Sequence, residues 1–242
     1  MHPPDNVVTE ITMTTISEII SDASEYVKEG LVEKWQRWII LIILMIVQSV
    51  TFYIVPLFNG YLVRVYGTKE GSAPELDDYK RLFVDGWKLN IVAILYMIPA
   101  IIIAIILGFL SVLPVITSIM NKGRIDELLG VIIGSFGLMV AGLVVAIISL
   151  IMYMAFVHFS RTGSIMDAFS VGAIVKQITD GIGWGTYIIM WIIVWIFSMI
   201  LFVIIMGLSV VPPLGIIAGL VLAPIWAVFI AKINCNIYDN RP

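Results

Sequence analysis

Charge is absent from four long stretches of this chain: Trp38–Val63, Leu89–Met120, Leu128–Phe159 and Gly181–Ala231. Each exceeds the roughly 20 apolar residues that carry a helix across about 30 Å of hydrocarbon. Their runs of Ile, Leu and Val lack the two-residue alternation of a barrel strand. The pattern therefore predicts helices, which satisfy their own backbone in lipid. The first apolar segment runs from Trp38 to about Phe58, the second from Leu89 to Met120, and the third from about Leu129 to Phe156. The last block, 51 residues long, must cross twice, at about 186–208 and 214–234, with Pro212-Pro213 at its turn. The expected fold class is an all-α polytopic membrane protein with about five transmembrane helices. The first of these is either a plain span or a re-entrant, broken hairpin.

The polar segments between the blocks carry a helical period of their own. In the tail, Ile16, Ile19, Ile20, Ala23 and Val27 recur at helical spacing with Glu18, Asp22, Glu25 and Glu29 between them. That predicts an amphipathic helix on the membrane surface or on a partner. Residues 1–37 form this acidic tail and 38–240 a single transmembrane domain. In 59–88, Pro74 suits a first helical turn with Ser72 as a cap. Glu75, Asp77 and Asp78 would face the positive end of that helix, and Lys80, Arg81 and Lys88 the negative end. An interfacial helix is expected there, turning at Asp85-Gly86-Trp87 into the next span, with Tyr61 and Trp87 as interface anchors. The segment SIMDAFSVGAIVKQITDGIGWGTY repeats the device, reaching Asp180-Gly181 before Trp184 and Tyr187 open a span.

The likeness continues downstream. IILGFLSVLP at 105–114 resembles IIMGLSVVP at 204–212, and AGLVVA at 141–146 resembles AGLVLA at 218–223. A parallel tandem repeat is expected: interfacial helix, span, proline turn, span, in copies at 74–156 and 164–234. Both copies start on one side, which implies an axis along the membrane normal.

Of the 242 residues, 60% are hydrophobic and 13% charged, against about 25% charged in soluble domains. The net charge of -3 comes from the tail, where seven acids face three bases, so there is no basic footprint for nucleic acid. The start lacks the short apolar core and small-residue cleavage site of a signal peptide, so the first span is expected to act as an uncleaved insertion signal. Lysine and arginine set orientation. Five full crossings place 5 of these residues on the tail side and 9 on the other, whereas a hairpin at 38–63 makes the division 12 to 2. The second is the stronger bias. Its 26 residues make about 39 Å of helix, too little for two crossings. Such a hairpin calls for shielding by protein, and Gln48, Ser49, Pro56, Asn59 and Gly60 suit a shielded break. Both arrangements put loops 59–88 and 157–186 and the C-terminus in the cytoplasm, in a multi-pass protein of the cell membrane.

Candidate chemistry is sparse. The spans carry no ionisable residue away from their ends, and such residues mark ion and proton pathways. Cys235 is the single cysteine and cannot form a disulfide or a zinc site alone. His158 closes the third span as an interface residue. There is no HExxH, GxSxG, P-loop or GxGxxG. Asp77 and Asp78 suit a helix start better than a divalent ion shared with a lipid phosphate. Arg64, Lys80, Arg81, Lys88 and Arg161 would attract anionic headgroups or simply fix topology. Gly130, Gly134, Gly137 and Ala141, with Gly215, Gly219 and Ala223, form small-residue stripes for helix packing. Pro99, Pro114 and Pro224 can kink helices. No catalytic, cofactor-binding or metal residues are expected.

Three motifs carry a resemblance: Gly60-Tyr61-Leu62-Val63-Arg64-Val65, Asp77-Asp78-Tyr79, and Leu82-Phe83-Val84-Asp85-Gly86. Together they resemble the hallmark segment of an uncharacterised prokaryotic membrane family, domain of unknown function 4013, many of whose members are archaeal. Asp167-Ala168-Phe169 through Trp184-Gly185-Thr186-Tyr187 is similar to the family's later cytoplasmic segment, so the likeness covers about residues 35 to 235. Tyr79 stands where tryptophan is common in the family. The resemblance implies the fold and assigns no activity. The expected function is a non-enzymatic scaffold or accessory subunit in the lipid bilayer, docking a protein partner or a second copy at the cytoplasmic face. The candidate docking and interfacial residues are Tyr61, Arg64, Asp77, Asp78, Arg81, Asp85, Trp87, Arg161, Asp180, Trp184 and Tyr187. A passive transporter or lipid-handling protein with a cavity between the repeats is the alternative. An enzyme acting on lipid headgroups would need Asp77, Asp78, Asp85 and Asp180 to converge.

Overall fold

A computed structural model describes residues 5–69, 71–120 and 127–239, and they are helical apart from short connections. The helices are α1 (Asp5–Val27), α2 (Trp35–Val50), α3 (Leu57–Gly67), α4 (Tyr79–Met120), α5 (Glu127–Thr162), α6 (Val171–Asp180), α7 (Trp184–Leu208) and α8 (Pro212–Asp239). A π turn, Lys28–Val32, follows α1, and a 3-10 turn, Ile165–Phe169, precedes α6. Among the described residues, four helices contain segments long and apolar enough to cross a membrane: Tyr79–Leu110, Ser135–Thr162, Trp184–Leu208 and Pro212–Asp239.

The chain forms two compact units. One, Ile91–Tyr153, consists of the far part of α4 and the near part of α5, with residues 121–126 outside the described residues. A Cβ on Gly137 would lie 3.7 Å from the Leu107 carbonyl oxygen, an ordinary packing contact. The surroundings of Gly130 and Gly134, like Lys122 and Arg124 themselves, lie outside the described residues.

The other unit comprises the residues up to Asn90 and from Met154 onward, and α8 is its hub. Helices α1, α2, α3, α6 and α7 all touch α8. Its second half is the more buried, through Val228, Ala231, Ile233, Asn234, Cys235 and Ile237. The tail helix packs here rather than lying free. Of the apolar period, Ile16, Ile19, Ala23 and Val27 are buried and Ile20 half-buried, Tyr26 is buried beside them, and Lys232 of α8 ties the junction. Its ammonium pairs with Asp22 at 3.2 Å and sits 5.1 Å from the Tyr26 ring centre. Asn236 adds bonds to Asp22 at 2.8 Å and to the Ile19 carbonyl at 3.3 Å. Burial pushes the Tyr26 phenol far above its ordinary pKa, with Tyr61 and Cys235 acting in the same direction and Arg37 opposing them.

The first apolar block is a broken hairpin. α2 ends at Val50 and α3 begins at Leu57, and at 16 residues α2 is about 24 Å long, short of the hydrocarbon thickness. Phe52 and Tyr53 adopt positive φ at the turn, 50° and 62°. The two arms pack together. Trp38 at the base donates its indole N–H to the Val221 carbonyl of α8 at 3.0 Å. That carbonyl lies beside the one stranded by Pro224, whose ring has no amide to return to Leu220.

Two expectations are corrected. Residues 73–78 are irregular, not an interfacial helix, and α4 runs from Tyr79 straight through Asp85-Gly86-Trp87 without a turn. Asp78 starts that helix, its carboxylate accepting the Arg81 amide at 3.1 Å, as an N-cap does. Likewise α4 continues past Pro114 to Met120, whereas Pro212 opens α8 after a tight turn. The matched sequences at 105–114 and 204–212 therefore take different conformations. The later amphipathic run is the helix expected of it, α6, burying Ile174 and Ile178.

Candidate functional site

Arg64, Glu75, Asp77, Asp78, Lys80, Arg81, Asp85 and Lys88 gather where α3, the 73–78 loop and the start of α4 meet, while Lys69 lies beside the tail helix. Arg64 wraps the loop: its guanidinium bonds the Glu75 carbonyl at 2.9 Å, the Asp77 carboxylate and the Asp78 carbonyl at 3.3 Å. Arg37, buried in the first turn of α2, reaches the same loop from the other arm of the hairpin. It bonds the Glu75 carboxylate at 3.1 Å and the Gly30 carbonyl at 3.1 Å. Asp85, nearly two turns into α4, holds Lys88 at 2.7 Å and lies 3.6 Å from Arg81. Three contacts on one partly buried guanidinium fix the loop. The Arg81 pair is exposed and worth at most about 1 kcal/mol.

Backbone contact sets the spacing beneath these charges. A Cβ on Gly60 would come within 1.8 Å of the Leu82 carbonyl oxygen, and one on Gly86 within 1.9 Å of the Pro56 carbonyl oxygen. α3 and α4 therefore touch main chain to main chain through two glycines. Just beyond, a polar relay locks the hairpin to α4. Gln48 and Asn59 exchange two bonds of 3.0 Å, Asn59 donates to Asn90 at 2.6 Å, and Asn90 donates to the Tyr53 carbonyl at 3.2 Å. The sequence marked Gln48, Asn59 and Gly60 as suited to a shielded break but did not reveal that Asn90 and Gly86 meet them, nor that Arg37 and Trp38 anchor the hairpin elsewhere. Isolated amides inside an apolar block were the available signal.

Above this base opens a cavity of about 830 Å³ lined by Arg64, Lys80, Arg81, Asp85, Lys88 and Ser160, among others. Asp77 and Asp78 border it too, each already engaged, Asp77 by Arg64 and Asp78 as the α4 cap. Asp180 lies elsewhere, on a cavity of about 420 Å³ with His158, Lys176 and Gln177. The four carboxylates required for headgroup chemistry do not gather. Among the described residues, no group of three His, Cys, Asp or Glu could hold a metal ion.

Several candidates have other surroundings than those expected. Tyr61 and Tyr187 are fully buried, so they are core residues rather than interface anchors. The Arg161 side chain is only 5% exposed and is tied to Asp239 and to the Gly67 carbonyl. It joins α5, α3 and α8 instead of offering charge to a headgroup. Trp184 donates to Thr179 at 3.0 Å and meets the Tyr187 ring edge-on, closing the turn from α6 into α7. Trp87 stays partly exposed, and His158 bonds the Tyr238 hydroxyl at 2.7 Å.

An all-helical chain with four membrane-length apolar helices and a glycine-seated charged collar defines the class. Within that class, the model of a family described as "Protein of unknown function (DUF4013)" matches residues 40–211, more than half of the chain. The protein belongs to this family. Among curated proteins and among solved structures, nothing matches.

Proposed function

We propose that the protein is a non-enzymatic integral membrane scaffold that docks a protein partner at the cytoplasmic face of the cell membrane. It crosses the bilayer with α4, α5, α7 and α8, while the α2–α3 hairpin does not cross. The observation that carries the reading is the immobilised charge at one end: Arg37 and Arg64 clamp residues 75–78 from both arms of the hairpin. Lys80 and Arg81 are left at the rim of an open cavity. A fixed polar surface costs less ordering entropy on binding than a mobile loop. With the hairpin returning to its starting side, 12 of the 14 lysines and arginines fall on the charged side, the bias that marks cytoplasmic loops. The pairs α4–α5 and α7–α8 read as copies of one two-helix unit, supported by AGLVVA in α5 and AGLVLA in α8.

Native mass spectrometry of the protein, taken from its own membranes in mild detergent, tests this. A stoichiometric second polypeptide is expected, and it should be lost in a Lys80→Glu, Arg81→Glu variant that still folds. These residues are better probes than Asp77 and Asp78, whose reversal would break the Arg64 clamp and the α4 cap. A chain that travels alone, or with a defined small molecule in place of a polypeptide, would overturn the reading.

A further inference from the structure

The α2 helix is apolar on both sides. Arg37, Leu41, Leu44 and Gln48 form the buried stripe, while Trp35, Ile39, Ile43, Ile46 and Val50 form an exposed one on the opposite face. The exposed stripe runs on into the turn, where Phe52 is 87% exposed beside Tyr53 and Ile54. In water such a surface would be a severe liability. A re-entrant turn in lipid ordinarily fails for a different reason, its unsatisfied backbone amides.

Here the turn has none. From Thr51 to Leu57 every backbone amide has an acceptor: Thr51 on Val47, Phe52 on Ser49, Tyr53 on Gln48, Ile54 on Thr51, Val55 on the Thr51 hydroxyl, and Leu57 on Val55. Pro56 has no amide to satisfy. Asn59, in the first turn of α3, is capped by the Gln48 side chain, and Asn90 covers the Tyr53 carbonyl. The break thus leaves no amide of the turn open, and α4 shields its Tyr53 carbonyl through Asn90.

Its depth is bounded by three anchors. Trp38 bonds Val221, inside the apolar Pro212–Asp239 helix, so the base of α2 lies at hydrocarbon level. Arg37 and Arg64 both reach Glu75 at the charged end. The tip is held by Asn90, two residues beyond Lys88 and so only about 3 Å further along α4. The ties to Glu75 and to Asn90 hold both arms and the tip of the hairpin toward the charged end.

We propose that the α2–α3 hairpin is a one-leaflet lipid-binding element. Its outer stripe and tip are solvated by acyl chains of the leaflet nearer the charged end, adding two helices to that leaflet alone. The proposal rests on the membrane placement above and not on the existence of a protein partner.

Nitroxide accessibility in phospholipid vesicles tests it on the full chain. Labels go on Phe52→Cys, on Ile43→Cys, and on Ile196→Cys at the middle of α7 as the reference for bilayer depth. Cys235 is fully buried, and the unmodified protein should take up no label. Oxygen collisions should exceed those of a water-soluble nickel complex several-fold at positions 43 and 52, with the ratio at 52 below that at 196. Nickel access at 52 with oxygen access at 196 would overturn the hairpin proposal while leaving the membrane reading intact. Suppression of both collisions, with spin–spin broadening between copies, would show a second copy covering the tip and overturn it equally. A ratio at 52 matching that at 196 would overturn confinement to one leaflet. If Phe52→Cys fails to fold, Val50→Cys reports on the same end of the stripe.

Discussion

Gln48 and Asn59 bind each other twice, amide side chain to amide side chain and Asn59 backbone amide to Gln48 oxygen, both at 3.0 Å. This exchange closes the hairpin and caps α3 at once. In an apolar setting the cost of breaking it is set by the partners left behind, about 1–3 kcal/mol for each stranded group. Asn59→Ala strands both Gln48 and Asn90 and should lower stability by about 2–4 kcal/mol in detergent. Gln48→Leu with Asn59→Leu removes one exchange as a unit, so the double variant should lose less than the sum of the singles. A thermal-unfolding double-mutant cycle measures this coupling, and simple additivity would refute it.

Glycine matters at two positions and not at another that looks equivalent. Gly60→Ala and Gly86→Ala each drive a methyl group into a backbone carbonyl, at 1.8 and 1.9 Å. Carbonyls inside packed helices cannot step aside, so a loss of about 3 kcal/mol or failure to fold is expected. Gly219→Ala meets nothing within 4 Å and should change the melting temperature little. Equal tolerance at all three sites would contradict the close crossing of α3 and α4.

Arg161 and Arg81 separate burial from charge. Arg161→Ala removes a buried guanidinium together with its bonds to the partly exposed Asp239 and to the Gly67 carbonyl, and should cost about 2 kcal/mol. Arg81→Ala breaks an exposed contact and should cost less than about 1 kcal/mol. Chemical denaturation of the two variants ranks them. The reverse order would mean that Arg161 is a free surface cation after all.

Alkaline pH should loosen the tail. The folded state holds the Tyr26 phenol neutral, so its contribution is fully present below the unfolded pKa of about 10 and is lost as pH rises above it. At pH 11 that amounts to about 1.4 kcal/mol. Protease cleavage within residues 5–34 should accelerate markedly between pH 8 and pH 11. Tyr26→Phe, with no hydroxyl to ionise, should respond roughly tenfold less. Its stability at neutral pH should hold or rise, because the Tyr26 hydroxyl has no hydrogen-bond partner among the described residues. An identical pH response in both proteins would remove Tyr26 from the account.

Much of this was written along the chain. Three of the four uncharged blocks hold the apolar cores of the four membrane-length helices, the last block supplying two, while the first gave a short hairpin in place of a fifth span; hydrophobic length is a local property. The tail period of Ile16, Ile19, Ala23 and Val27 was legible for the same reason, as were the helix α6 and the family motifs. Local logic misled at 74–86. Pro74, Glu75 and Asp77 are good helix openers, yet two arginines from elsewhere in the chain hold 75–78 open, and Asp78 takes over as the cap.

What the sequence determined by itself is the solvent: segregated charge and long apolar runs commit the chain to helices suited to lipid, with its cations gathered between them. What the tertiary structure alone decided is where the first block goes. Its composition suits a plain span and a hairpin equally well. The choice rests on Gly60 and Gly86 letting two backbones touch, on Asn90 reaching Tyr53, and on Arg37 and Arg64 meeting at Glu75. Each is a contact between residues distant in sequence, and no local period records it.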